Sequence, residues 1–69
     1  MPITLAPKGQ EYMVQRITGK DEVRRHLENL GVVTGGLITV VAESPAGLII
    51  NAKGTRLALD LSMAKRIMI

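Results

Sequence analysis

The sequence of 69 residues contains no cysteine, no tryptophan and no phenylalanine, and it has a single tyrosine. The absence of cysteine excludes disulfides, thiolate metal sites and cysteine nucleophiles, and it fits a reducing compartment. Because aromatic residues are almost missing, the core must consist of Leu, Ile, Val, Ala and Met. No apolar run approaches the ~20 residues that span a bilayer, and residues 1–7 lack the features of a secretory signal.

The composition predicts one small packed domain over residues 1–69. Hydrophobic residues make up 46% of the chain, which is typical of a globule rather than a disordered segment. A domain of this length buries only ~60% of its unfolded surface, so we expect a thin core. The net charge is +3, but the basic residues are scattered along the chain. This distribution favours a soluble basic surface over a polyanion site.

The first half of the chain predicts a strand and then a helix. Residues 11–17 have the pattern of a first strand with a bulge or strong twist, and Leu5 is expected to pack under the core. Asp21 is a predicted N-cap, and Val23, Leu27 and Leu30 form one apolar stripe. Charges at Asp21 and Arg25, and at Arg24 and Glu28, are spaced for ion pairs along the helix. Gly31 is expected to end the helix in a left-handed conformation.

The second half predicts a mainly β structure. Strands are expected over residues 37–42, 48–52, 55–59 and 66–69, with turns at 44–47 and 53–54 and one helical turn at 60–65. About five short strands and one short α-helix predict a small, partly open barrel, since closure hides sheet edges. An exposed edge at 67–69 would pair between copies, so we expect a monomer or a weak homodimer.

An ordered set of motifs accounts for nearly the whole chain. They are Leu27-x-x-Leu30-Gly31-Val32-x-x-Gly35, Ile38-x-Val40, Leu48-Ile49-Ile50, Arg56-Leu57-Ala58-Leu59 and Ala64-x-x-Ile67-x-Ile69. With these motifs the sequence resembles the FeoA family, small cytosolic proteins of bacterial ferrous-iron uptake. It departs from the family pattern at Val32, at Thr34 and in a shortened turn at residues 44–47.

The resemblance implies an SH3-like barrel, no enzymatic activity and a cytoplasmic location. It also implies an accessory role beside the membrane ferrous-iron permease FeoB, whose cytosolic part is a GTPase. The protein would then reach the membrane only through this partner. The same module also occurs in metal-dependent repressors. A nucleic-acid-binding or metal-sensing module of a regulator is therefore the alternative.

The residues themselves offer little chemistry. Glu22 and His26 are four residues apart on the predicted helix, a spacing that can hold one metal ion. Two ligands make a weak site, so we favour a surface role for both. The glycines at 31–36 lack the lysine of a phosphate-binding loop, and no catalytic constellation is visible. No cofactor is expected. Tyr12 is the only aromatic residue, which disfavours nucleic acid as a partner.

Two segments are candidate docking sites for a protein partner. The preferred one is the corner after the helix, where Val32, Val33, Thr34 and Gly35 carry no charge. An equally weighted alternative is that Val32 and Val33 only cap the end of the barrel. The second is the hairpin tip. Its candidate residues are Pro45, Ala46 and Leu48.

Overall fold

The computed structural model describes all 69 residues as a mainly β fold. Its strands are β1 (Glu11–Met13), β2 (Arg16–Ile17), β3 (Leu37–Ser44), β4 (Gly47–Ala52), β5 (Thr55–Asp60) and β6 (Ile67–Met68). Its helices are α1 (Asp21–Asn29) and the four-residue α2 (Leu61–Ala64), and a short 3₁₀ turn covers Ile3–Leu5. The prediction of a mainly β protein with one main helix is confirmed.

The strands form two antiparallel sheets that do not join into a closed barrel. The larger sheet has the order β1-β3-β4-β5, and the smaller one pairs β2 with β6. Strand β3 carries a register shift between Val40 and Ala42, which bends the sheet over the core. The predicted architecture of a small, partly open barrel is therefore present.

The first predicted strand is divided between the two sheets. β1 pairs with β3, and β2 pairs with β6. Between β1 and β2, the amide of Val14 donates to the carbonyl of Gly36 at 2.9 Å. The next amide, that of Gln15, donates to the carbonyl of Met68 at 2.7 Å. The chain therefore passes from one sheet to the other at the position where the sequence predicted a bulge or strong twist. The structure has six strands rather than about five for this reason.

Helix α1 begins differently from the prediction. Its N-cap is Lys20, which makes no side-chain cap bond, and Asp21 is the first helical residue. The carboxylate of Asp21 accepts a hydrogen bond from Arg24 at 2.7 Å, so the expected pair with Arg25 does not form. Arg24 also lies 3.9 Å from Glu28, as predicted. All these side chains are exposed, and each pair contributes only about 0.3 kcal/mol.

The end of α1 confirms the predicted glycine stop. Gly31 has φ +103°, and its amide donates to the carbonyl of Glu28 at 3.0 Å. The amide of Val32 donates to the carbonyl of Leu27 at 2.9 Å. These two bonds define a Schellman motif, in which the residue after the glycine packs on the last turn of the helix. Leu27 and Val32 are both completely buried, so the motif fixes α1 to the core.

Strands β4 and β5 form a tight hairpin. Lys53 and Gly54 have φ +54° and +78°, which identifies a two-residue type I′ turn. At the other end of the hairpin, a Cβ atom on Gly47 would overlap the carbonyl oxygen of Leu59 and lie 2.8 Å from the Cα of Asp60. The close approach of β5 therefore requires glycine at position 47.

Asp60 begins α2. One oxygen of its carboxylate, Oδ1, accepts from the hydroxyl of Ser62 at 2.7 Å and from the amide of Met63 at 2.9 Å. The hydrogen bond from Ser62, followed by that from Met63, lowers the pKa of Asp60 below its usual value. The predicted helical turn is therefore present and is capped by an ionised carboxylate.

The core is entirely aliphatic, as the composition predicts, and it contains no buried polar side chain. Its largest fully buried side chains are Ile3, Leu27, Ile38, Ile50, Ile67, Val14, Val32 and Val40. The expectation for Leu5 is wrong: its side chain is 69% exposed, while Ile3 and Ala6 are buried. In a 3₁₀ turn, side chains three residues apart lie on the same face, so Ile3 and Ala6 face the core together and Leu5 points away from it.

The edge formed by the last residues is covered, which corrects the predicted dimer contact at 67–69. The amide of Ile69 donates to the carbonyl of Met1 at 2.7 Å, and the terminal amine of Met1 donates to the carbonyl of Ile69 at 3.2 Å. Pro2 also forms a bridge with Met68. Strand β6 therefore lies between β2 and the first residues of the chain and offers no free edge.

Candidate docking surface

The corner after α1 is a hydrogen-bonded turn that leads from the helix to β3. The amide of Gly36 donates to the carbonyl of Val33 at 3.0 Å, and Gly35 has φ +85°, which matches a type II turn. The amide of Gly35 donates to the carbonyl of Val14 at 2.8 Å, and the carbonyl of Gly36 accepts from the amide of Val14. The turn is therefore tied to the point where the chain changes sheets.

The residues predicted for this corner divide into buried and accessible ones. Val32 is 0% exposed, so its predicted role as a contact residue is wrong in this conformation. The Schellman motif turns its side chain into the core. Val33 is half-buried, and Thr34 and Gly35 are exposed. These three residues remain available to a partner.

Two exposed apolar side chains extend the corner onto the outer face of the sheet. Met13 and Leu37 are opposite each other in the β1–β3 register, and they are 47% and 52% exposed. The sequence interpretation missed this pair. The alternation of Ile38 and Val40 toward the core would have indicated that Leu37 points outward. We call Met13, Val33, Thr34, Gly35 and Leu37 the corner surface.

A polar cleft of about 560 Å³ lies beside the corner surface. Gly35, Gly36 and Leu37 form one part of its lining, and Thr39 and Asn51 lie on the sheet. Glu11 and Lys53 add one charge of each sign. The apolar pair is therefore bordered by polar and charged groups, an arrangement typical of interfaces with an apolar centre and a polar rim.

The hairpin tip is a smaller site. Pro45 and Ala46 are exposed, but Leu48 is only 4% exposed and faces the core, so its predicted contact role is wrong. Side-chain alternation places Leu48 on the inner face of β4. A cleft of about 250 Å³ opens at this end of the sheet, and Leu61 is 48% exposed.

The remaining predicted groups lie on the surface. Glu22 and His26 are both exposed on α1, and no group of three or more metal-ligating side chains is present in the structure. The ring of Tyr12 packs against the core, and its hydroxyl lies 3.3 Å from Oε1 of Gln10. No helix is long and apolar enough to cross a membrane.

These features define a class of protein. The fold is a small antiparallel barrel, partly open, with an aliphatic core and an exposed apolar corner beside a polar cleft. The class is therefore a small, partly open β-barrel domain.

Sequence comparison identifies the family. The family model of the FeoA domain matches residues 1–69, and the chain belongs to the FeoA family. A relative from Methanocaldococcus jannaschii, named "Putative Fe(2+) transport protein A", is 26% identical over 68 residues. The match covers 99% of this chain and 83% of that relative.

Solved structures show the same fold. A crystal structure of an iron uptake regulatory protein (FeoA) has a TM-score of 0.88 at 29% identity, covering 97% of this chain and 91% of that one. Stenotrophomonas maltophilia FeoA, solved in complex with zinc and described as a prokaryotic SH3 domain protein, has a TM-score of 0.83 at 30% identity. That match covers 99% of this chain and 87% of that one. The SH3-like architecture implied by the resemblance is confirmed.

Proposed function

We propose that this chain is a cytoplasmic accessory protein of ferrous-iron uptake that docks on the cytosolic domain of a FeoB-type permease. Docking would modulate GTP hydrolysis and transport by the permease, and the chain itself would catalyse no reaction. The observation that carries this proposal is the FeoA family match over the whole chain, together with the similarity to a relative named for Fe(2+) transport.

The corner surface is the proposed contact. Full burial of a Leu or Met side chain contributes about 1.5–3 kcal/mol, so covering the exposed halves of Met13 and Leu37 would contribute about 1 kcal/mol each. The turn at Val33–Gly36 is already ordered by its bonds to Val14. A preformed surface loses little conformational entropy on binding, which favours the corner over a mobile loop.

The direct test is a binding assay between the purified chain and the cytosolic domain of the permease. Leu37→Glu and Val33→Asp would each place a charge in the contact, and we expect a loss of affinity of at least about tenfold. Leu61→Glu is the matched control, because Leu61 is 48% exposed, close to the 52% of Leu37, and lies near the other end of the sheet. Circular dichroism verifies that each variant is folded.

The outcomes separate the candidate sites. Loss of binding in the two corner variants, with normal binding by Leu61→Glu, supports the proposal. Loss only in Leu61→Glu assigns docking to the end of the sheet that carries the hairpin tip. Equal binding by all three variants contradicts docking through the corner surface. A chain that fails to bind the domain contradicts the proposed function.

GTP hydrolysis provides the second measurement. The permease domain is assayed alone, with the wild-type chain and with Leu37→Glu. We expect the wild-type chain to change the hydrolysis rate and the variant to leave it at the level of the domain alone. An unchanged rate at saturating chain would remove the modulatory part of the proposal.

A further inference from the structure

Strand β5 is the longer free edge of the large sheet. It spans six residues and pairs only with β4, whereas β1 at the opposite edge has three residues. A free strand edge carries unpaired amide and carbonyl groups, which makes it a template for another strand. The edge at β6 is already covered by the first residues of the chain, so β5 is the longest uncovered strand edge.

The hairpin geometry identifies the groups that face outward. In a hairpin with a two-residue turn, the residues that flank the turn bond to each other, and bonding then alternates along the strands. Ala52 and Thr55 flank the turn, so Thr55, Leu57 and Leu59 direct their backbone groups to β4. The carbonyl of Leu59 does approach Gly47 of β4. The backbone groups of Arg56 and Ala58 and the amide of Asp60 therefore point to the free side, whereas the carbonyl of Asp60, the N-cap of α2, accepts the first bond of that helix.

These three residues form a self-complementary series. Along the outer face of β5 lie the cation of Arg56, the methyl group of Ala58 and the carboxylate of Asp60. All three side chains are exposed. In a second copy of β5 that lies antiparallel to the first, the same three residues run in the opposite order. Centring the two-fold axis on Ala58 places Arg56 opposite Asp60 of the second copy, and Ala58 opposite Ala58.

We propose that β5 is a self-association edge, on which a second copy of this chain pairs in antiparallel register about Ala58. Backbone hydrogen bonds would form between the two Ala58 residues and from the amide of each Asp60 to the carbonyl of Arg56 in the other copy, because these groups face the free side. On the inner face, Leu57 would lie beside Leu59 of the second copy. The two sheets would become one continuous eight-stranded sheet.

The charges select this register. Moving the axis two residues in either direction places Arg56 opposite Arg56 or Asp60 opposite Asp60, and like charges directly opposite each other are destabilising. Moving it one residue leaves both charges opposite uncharged side chains. Only the register centred on Ala58 forms two opposite-charge pairs.

Asp60 is able to take part while it caps α2. Both of its intramolecular hydrogen bonds use Oδ1, and Oδ2 makes none. Oδ2 is therefore free to accept from a guanidinium group. Arg56 makes no ion pair within the chain, since the salt bridges of the structure all lie in α1.

The association would be weak and would leave the corner surface open. Six residues extend only ~20 Å, which gives an interface smaller than that of a stable dimer. β1 lies three strands from β5, ~14 Å across the sheet. A dimer would therefore present two corner surfaces at once.

The test follows the full chain up to millimolar concentration by sedimentation and by amide hydrogen exchange. We expect dimers in which the amides of Ala58 and Asp60 exchange more slowly as concentration rises. The amides of Leu57 and Leu59 are already bonded to β4 and should not change. A monomer at all concentrations, with constant exchange at these amides, would overturn the proposal.

Two variants test the register and the edge separately. Arg56→Glu turns both charge pairs into repulsive ones and should weaken association about tenfold or more. Arg25→Glu makes the same charge change on exposed α1 and should have no effect. Ala58→Pro removes an amide that β4 does not use, so it should block pairing and preserve the fold.

Other results would reject the assignment. A dimer that persists in both Arg56→Glu and Ala58→Pro has its interface elsewhere. If amide protection on β5 appears only when the permease domain is added, the edge binds a strand of that partner and not a second copy. The sedimentation and exchange measurements made without the permease domain use the chain alone, so their outcome is independent of permease binding.

Discussion

The substitution Val32→Ala separates a structural role from a docking role at the corner. Val32 carries no charge and follows the helix stop, so its sequence context suggested a partner contact. Its side chain is 0% exposed and packs in the core beside the end of α1. Alanine keeps the backbone hydrogen bond from residue 32 to Leu27 and removes only two buried methyl groups.

The expected cost follows from that burial. Each buried methyl or methylene contributes about 0.8 kcal/mol, so the transfer loss is about 1.6 kcal/mol. A cavity raises the total to about 2 kcal/mol. Domains have about 0.05–0.15 kcal/mol of stability per residue, which gives about 3–10 kcal/mol for a chain of this size. The variant therefore loses a substantial part of its stability but remains folded in most of this range.

Thermal and urea unfolding measure the effect. In domains of 60–100 residues each kcal/mol lowers Tm by about 4–8 °C, so we expect a drop of about 8–16 °C. Val33→Ala is the control, because Val33 is only half-buried, and it should cost less than about 1 kcal/mol. A Val32→Ala protein with the Tm of the wild type and impaired partner binding would refute the reasoning.

Four further predictions concern single positions. Gly31→Ala meets no atom within 4 Å but must adopt φ +103°, and chemical denaturation should show a loss of about 1–2 kcal/mol. Gly47→Ala has no space beside the Leu59 carbonyl, and it should destabilise the β4–β5 hairpin by about 1–3 kcal/mol in the same assay. Because the pKa of Asp60 is lowered on folding, its carboxylate contributes to stability above about pH 4, and this contribution is lost as pH falls through the folded-state pKa. The Tm of Asp60→Asn should therefore decline less steeply with acid than the Tm of the wild type. Isothermal titration of the chain with ferrous or zinc ion should show no micromolar binding, and micromolar binding that disappears in His26→Ala would contradict the surface role given to that residue.

Local signals in the sequence were sufficient for much of the fold. The apolar stripe and Gly31 predicted the end of α1 because a left-handed glycine is a local requirement. Lys53-Gly54 predicted a tight turn for the same kind of reason. The helical turn at residues 60–65 was also predicted, and the structure shows in addition that Asp60 caps it. The three predicted features depend on neighbours in sequence, so no long-range contact was needed to predict them.

Long-range contacts decided what the sequence did not reveal. The division of residues 11–17 between two sheets depends on the positions of Gly36 and Met68, which are far away in the chain. The first residues cover β6 through Met1 and Ile69, a contact between the two ends. No local pattern encodes either arrangement.

Only some of the residues predicted for the docking sites are accessible. Val33, Thr34 and Gly35 are accessible at the predicted corner, whereas Val32 and Leu48 face the core. Uncharged residues near a turn are equally suited to a core or to an exposed surface, so composition alone did not separate them. The pair Met13 and Leu37 required the strand register, which the structure supplies.

The most direct test of docking through the corner surface is an NMR titration of the isotope-labelled chain with the cytosolic domain of the permease. We expect the largest changes in amide signals at Met13 and across residues 33–37. The amides of Ala46 and Leu61, near the other end of the sheet, should stay unchanged. Changes concentrated at Ala46 and Leu61, or no change at saturating domain, would contradict docking through the corner surface.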